Sequence, residues 1–109
     1  MATSRSQLGR MEKRLPIAIV VNLAPVNGQP ASQPELTYTD NISAHGACVV
    51  SSRSWKPGEL AEVMSLKDQI ALRGKVVHCV KRPDARYIVG LSFNGLRVTW
   101  ATYRTYAGT

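Results

Sequence analysis

Apolar and polar residues alternate with a period of two along much of the chain, which is the pattern of half-buried β-strands. The run 70–82 shows it best, because it has an apolar face and a basic face. The apolar face consists of Ile70, Leu72, Val76 and Val80, and the basic face of Arg73, Lys75 and Lys81. A second run is predicted to point four residues inward: Tyr87, Val89, Leu91 and Phe93.

Six such runs are separated by segments rich in Pro, Gly, Asp and Asn, which favour turns and loops. They span 16–24, 35–42, 46–52, 59–66, 70–82 and 87–95. Six short strands with turns between them predict an all-β domain over residues 15–95, built as an antiparallel sheet that closes into a barrel or folds into a sandwich. Closure also removes exposed strand edges.

Both ends of the chain depart from this pattern. Residues 1–14 are polar and basic, and we expect them to form a flexible arm. After the Asn94-Gly95 pair the period changes, with Leu96, Trp100 and Tyr103 at spacings of four and three. This spacing predicts a short amphipathic C-terminal helix within 96–109, placed to cover one mouth of a barrel.

Length and composition fit a single globular domain of 109 residues, 44 % of them hydrophobic. No apolar run reaches 18 residues, so we expect no membrane insertion. The basic residues 1–14 followed by the apolar stretch "LPIAIVVNLA" resemble an export signal, but no small-x-small cleavage site follows them. Cys48 and Cys79 form no metal-binding spacing, and two free thiols are typical of the cytoplasm.

The charge balance indicates an anionic partner. Lys and Arg together number 14 against 7 Asp and Glu, and nine of the basic residues are Arg. Arginine suits bidentate contact with phosphate or with a guanine edge. A basic surface that serves only solubility is the alternative.

Nothing in the sequence indicates catalysis. His45 and His78 have no neighbouring carboxylate or nucleophile pattern, and there is no phosphate-binding glycine loop, zinc spacing or serine elbow. We therefore predict a binding module without catalytic residues, metal or cofactor.

Two motifs remain as candidate chemistry. Arg10 and Arg14 are spaced so that both guanidinium groups can close on one anion, whether the arm is extended or helical. In "NISAHG", Asn41 offers donors and an acceptor, Ser43 offers a hydroxyl, and Gly46 permits close backbone approach or a positive φ. Each motif alone is common in arms and turns.

In this order, R-x-x-x-R before the first strand and N-x-S-x-x-G after the second, the motifs resemble the signature of the PilZ family. The resemblance runs from Arg10 through Asn94. It implies a six-stranded antiparallel barrel with a C-terminal helix, and binding of the bacterial second messenger cyclic di-GMP. The resemblance also implies a stand-alone receptor in motility or biofilm signalling, which passes the signal to a downstream effector protein.

The implied ligand site comprises Arg10, Arg14, Asp40, Asn41, Ser43, His45 and Gly46. By the resemblance, the two arginines grip guanine edges and phosphates, and Asn41 reads the Watson–Crick edge of a guanine. Ser43 supports the ligand and Gly46 shapes the turn. His45 departs from the commonest pattern, which has Gly at its position.

Two other functions compete with this one. The first is a PilZ-like interaction module in pilus or motility assembly that binds no nucleotide. The two intact motifs argue against this function. The second is a basic barrel for single-stranded nucleic acid. Such barrels present aromatic stacking platforms, whereas Phe93, the only Phe, is predicted to point inward, so we expect no DNA or RNA partner.

Overall fold

The computed structural model describes residues 14–26, 34–67, 69–98 and 100. Its strands are β1 (Val20–Pro25), β2 (Glu35–Ile42), β3 (Gly46–Ser51), β4 (Leu60–Ser65), β5 (Ile70–Lys81) and β6 (Tyr87–Ser92). They close into a barrel in the order β1-β2-β3-β6-β5-β4, and each neighbouring pair is antiparallel. The prediction of six antiparallel strands is confirmed, and the closed barrel forms rather than the sandwich.

The segment before β1 is tied to β2 without a regular ladder. The hydroxyl of the fully buried Thr39 accepts a hydrogen bond from Ile19 N at 2.8 Å and donates to Ile17 O at 2.7 Å. Thr39 N also donates to Ile19 O at 3.0 Å. Because the Thr39 hydroxyl takes the place of backbone ladder bonds to Ile17 and Ile19, β1 begins at Val20 rather than at the predicted residue 16.

Inward-facing residues of all six strands form one core. Its large members include Val21 and Leu23 of β1, Val63 of β4, and Val89 and Leu91 of β6. The predicted inward face of β6 is confirmed: Val89, Leu91 and the following Phe93 are buried, and Tyr87 is half-buried against the core.

A β-bulge changes the inward face of β5. Val76 pairs with Leu91 and His78 pairs with Gly90, so Val77 is an extra residue between them. The extra residue reverses the alternation, and Cys79 packs on the core while Val80 is 59 % exposed. The predicted inward position of Val80 is therefore wrong, whereas Leu72 and Val76, which precede the bulge, are buried as predicted.

Few residues of the two predicted terminal segments lie within the described ranges. The described residues contain no helix; 96–98 and 100 are non-helical, and the rest of the predicted helix over 96–109 lies outside the described residues. The predicted arm also lies outside them, except for Arg14. Over the described ranges, no helix is long and apolar enough to cross a membrane.

Candidate functional site

The first described residues of the chain are attached to the end of β2. Leu15 N donates to Ile42 O at 2.8 Å, and Ile42 N donates to Leu15 O at 2.9 Å, which forms an isolated antiparallel bridge. Both side chains are buried in the core. This bridge holds Arg14, the residue before Leu15, close enough to the end of β2 for its side chain to reach Asn41.

Arg14, Asn41 and Asp40 form a hydrogen-bonded chain on the barrel surface. Arg14 Nη1 donates to Asn41 Oδ1 at 2.8 Å, and Asn41 Nδ2 donates to Asp40 Oδ2 at 3.0 Å. Arg14 and Asp40 are exposed and Asn41 is half-buried. The two motifs, which are 27 residues apart, thus meet at one place through their side chains.

Cys48 lies directly beside this chain on the neighbouring strand, because it is the cross-strand partner of Asn41. Burial raises the pKa of the Cys48 thiol, although the charge of Arg14 and a hydrogen bond with Asn41 act in the opposite direction. Cys48 is therefore a neutral thiol at physiological pH. It is 7 % exposed and makes no disulfide, which agrees with the predicted free thiol.

The turn between β2 and β3 is closed by its own polar groups. Ser43 N donates to Gly46 O at 3.0 Å, and the Ser43 hydroxyl donates to the same oxygen at 3.3 Å. Ser43 is 1 % exposed, so its hydroxyl stabilises the turn from inside. Gly46 has no positive φ; it is required because a Cβ there would stand 2.6 Å from Leu91 O on β6.

Residues after β6 hold the outer side of the same turn. Phe93 N donates to His45 O at 3.0 Å, and Val98 N donates to Ala44 O at 2.7 Å. Trp100 Nε1 donates to Ser43 O at 3.0 Å. Three consecutive carbonyl groups of the turn are thus paired with the segment 93–100, a set of contacts that the sequence analysis missed because no local pattern signals them.

The structure brings most of the predicted site residues together. Asp40, Asn41, Ser43, His45 and Gly46 follow one another along β2, the turn and the start of β3, and Arg14 joins them through its side chain. Arg10 lies outside the described residues. In the part of the chain that the structure describes, no group of three or more His, Cys, Asp or Glu residues could hold a metal ion.

Alanine at Gly46 is expected to destabilise the barrel more than alanine at Gly74. The Gly46 Cβ would overlap a backbone oxygen that cannot move without separating β3 from β6, whereas at Gly74 the Phe93 ring at 3.1 Å and Ser92 O at 3.2 Å leave more room. Overpacking of this kind costs about 1–3 kcal/mol, and we expect Gly46→Ala at the upper end. Urea unfolding of both variants measures the difference; equal loss would contradict the close approach at Gly46.

A closed β-barrel with an arginine, an amide and a carboxylate linked at one rim defines a small binding module. The family model of the PilZ domain matches residues 9–102. The chain therefore belongs to the PilZ domain family. PilZ domains are binding modules rather than enzymes, and the family is known for binding cyclic di-GMP. No curated protein matches the chain.

Proposed function

We propose that this protein binds cyclic di-GMP at the surface formed by Arg14, Asp40 and Asn41, and acts as a stand-alone receptor. The observation that carries the proposal is the 2.8 Å hydrogen bond between Arg14 and Asn41, which joins the two motifs. The motifs lie far apart in sequence, so their meeting at one rim supports a shared ligand. Arg10, by its spacing from Arg14, is assigned to the same ligand.

The chemistry of the surface suits this ligand. Cyclic di-GMP carries two phosphodiester charges and two guanines, and the protein carries a net charge of +7. An arginine can make bidentate contact with guanine O6 and N7, or with a phosphate. Arg14 is exposed and uses one of its five N–H donors on Asn41, which leaves donors for the ligand.

The bonds between the turn and residues 93–100 support a role in signalling to a partner protein. A ligand that pulls on Asn41 acts on the turn that follows it, and the carbonyl groups of Ser43, Ala44 and His45 are bonded to the segment that leads to the C-terminus. A change in the turn therefore reaches the segment beyond β6. The proposed location is the cytoplasm, where this second messenger is made.

Calorimetric titration with cyclic di-GMP tests the proposal, with Arg14→Ala as the site variant. A charge-assisted hydrogen bond contributes about 1.5–3 kcal/mol, so the variant is expected to bind roughly ten- to a hundred-fold more weakly. Because Arg14 is exposed, the free energy of unfolding of the Arg14→Ala variant should differ from that of the parent by only about 0.5 kcal/mol.

Arg86→Ala is the matched control, since it removes the same charge from an exposed position next to β6 at the opposite end of β3. It should bind like the parent. Absence of binding by the parent protein would favour the alternative function, an interaction module in pilus or motility assembly that takes no nucleotide.

A further inference from the structure

The outer face of β1, β2 and β4 carries apolar side chains that meet water. Four large ones are between 43 % and 65 % exposed: Val20, Leu36, Met64 and Leu66. The inner faces of β1 and β4 fill the core, so these two strands are apolar on both sides. An antiparallel sheet that meets water on one face is ordinarily polar there, and strands that are apolar on both sides are typical of sheets covered on both faces. This outer face therefore has the composition of a covered surface.

Strand pairing brings the four side chains together into one surface. Leu36 on β2 pairs with Asn22 on β1, and Asn22 pairs with Met64 on β4. In the neighbouring row, Leu66 N donates to Val20 O at 3.4 Å. We call Val20, Leu36, Met64 and Leu66 the apolar patch. Asn22, in its middle, is half-buried and uncharged, so the patch is continuous across three strands.

Opposite charges stand at the two ends of the patch along β4. Glu62 lies two residues before Met64, and Lys67 lies three residues after it. Within the described ranges neither forms an ion pair, although Arg73 is the cross-strand neighbour of Glu62. The two charges are nearly symmetric about Met64. When two such faces pack with their β4 strands antiparallel, Lys67 of each copy therefore comes opposite Glu62 of the other.

We propose that the apolar patch is the interface of a homodimer, in which the outer faces of β1, β2 and β4 of two copies pack together about a two-fold axis. A two-fold interface presents the same surface from both sides, so it must be complementary to itself. Apolar side chains meet at its centre, and Lys67 meets Glu62 at both ends. The net charge of +7 opposes association, but the patch carries none of it. This dimer does not depend on nucleotide binding.

The size of the patch sets the strength of the dimer. Three strands about 4.8 Å apart, with about five residues of each, span roughly 14 Å by 17 Å. Even with the relief of its side chains, this surface is smaller than the roughly 800 Å² that each partner contributes to a standard interface. We therefore expect a weak dimer, with a dissociation constant on the order of tens of micromolar.

Analytical ultracentrifugation of the full chain without nucleotide tests the proposal. The parent should be largely dimeric at about 0.5 mM, roughly tenfold above that dissociation constant. Met64→Lys puts a charge into the interface and should weaken self-association at least about tenfold. Val80→Lys is the matched control, because Val80 is 59 % exposed but pairs with Ile88 on β6, away from the patch; it should dimerise like the parent. A parent that stays monomeric would overturn the proposal, since another protein or another segment of the chain then covers the patch.

A pair of charge reversals tests the arrangement of the two copies. Lys67→Glu places two carboxylates opposite each other at both ends of the interface, and Glu62→Lys places two ammonium groups there. Each variant alone should self-associate about five- to thirtyfold more weakly than the parent. An equimolar mixture of the two variants restores both Lys–Glu contacts and should dimerise about as tightly as the parent. A mixture that associates no more tightly than either variant alone would overturn the proposed interface, and circular dichroism checks that each variant is folded.

Discussion

Cyclic di-AMP is expected to bind at least about a hundred-fold more weakly than cyclic di-GMP, because Asn41 presents an acceptor to the base. Asn41 Nδ2 donates to Asp40 Oδ2 at 3.0 Å. Asn41 Oδ1 accepts from Arg14 and has a second lone pair. One donor of the amide is thus occupied, while its oxygen can still accept from a ligand.

Guanine matches an acceptor at this place and adenine does not. The Watson–Crick edge of guanine has donors at N1 and N2, whereas adenine has an acceptor at N1 and no 2-amino group. Each buried polar group left without a partner costs about 1–3 kcal/mol, so exchanging both bases costs several kcal/mol in total. Parallel calorimetric titrations with the two dinucleotides measure the ratio. Equal affinities would mean that only phosphates are recognised, which would remove Asn41 from the site.

Substitutions of Asn41 refine this prediction. Asn41→Ala should lose guanine binding. Asn41→Asp keeps the acceptor and should retain binding, but it places a second carboxylate beside Asp40, and like charges repel. The double variant Asp40→Asn with Asn41→Asp restores the net charge of the pair and is therefore the matched control; it should bind at least as well as Asn41→Asp alone.

Replacing Trp100 by alanine is expected to lower the free energy of unfolding by about 3–5 kcal/mol. Trp100 is fully buried, its ring centroid lies 6.3 Å from that of Phe93, and its indole N–H donates to Ser43 O. The substitution removes the largest buried side chain near the turn and leaves a buried carbonyl group without its donor. Thermal or urea unfolding measures the loss.

A comparison of two tryptophans separates a general loss of stability from the specific effect of Trp100 on the turn between β2 and β3. Trp55 is also buried, and its Nε1 donates to Ser51 Oγ at 3.0 Å, at the opposite end of β3 from the turn. Trp100→Phe and Trp55→Phe each remove one buried hydrogen bond and should each cost about 1–3 kcal/mol. Only Trp100→Phe should also weaken cyclic di-GMP binding. Equal binding by both variants would show that the turn does not depend on Trp100.

The sequence by itself determined the number and positions of the strands and the two motifs. Alternation with a period of two is a property of the extended backbone, so it can be seen in any half-buried strand. β2 lies at the predicted residues 35–42, and the other strands differ from prediction by a few residues at their ends. The motifs are short and local, which is why Arg14 and Asn41 could be selected before any contact between them was known.

Only the tertiary structure decided how these parts meet. The face of β5 after Val76 was predicted wrongly because a bulge adds one residue and reverses the alternation, and nothing in the local sequence signals where the partner strand requires it. Trp100 bonds to the turn across 57 residues, and Arg14 bonds to Asn41 across 27. Such contacts depend on strand register, which is set by packing of the whole barrel rather than by neighbouring residues.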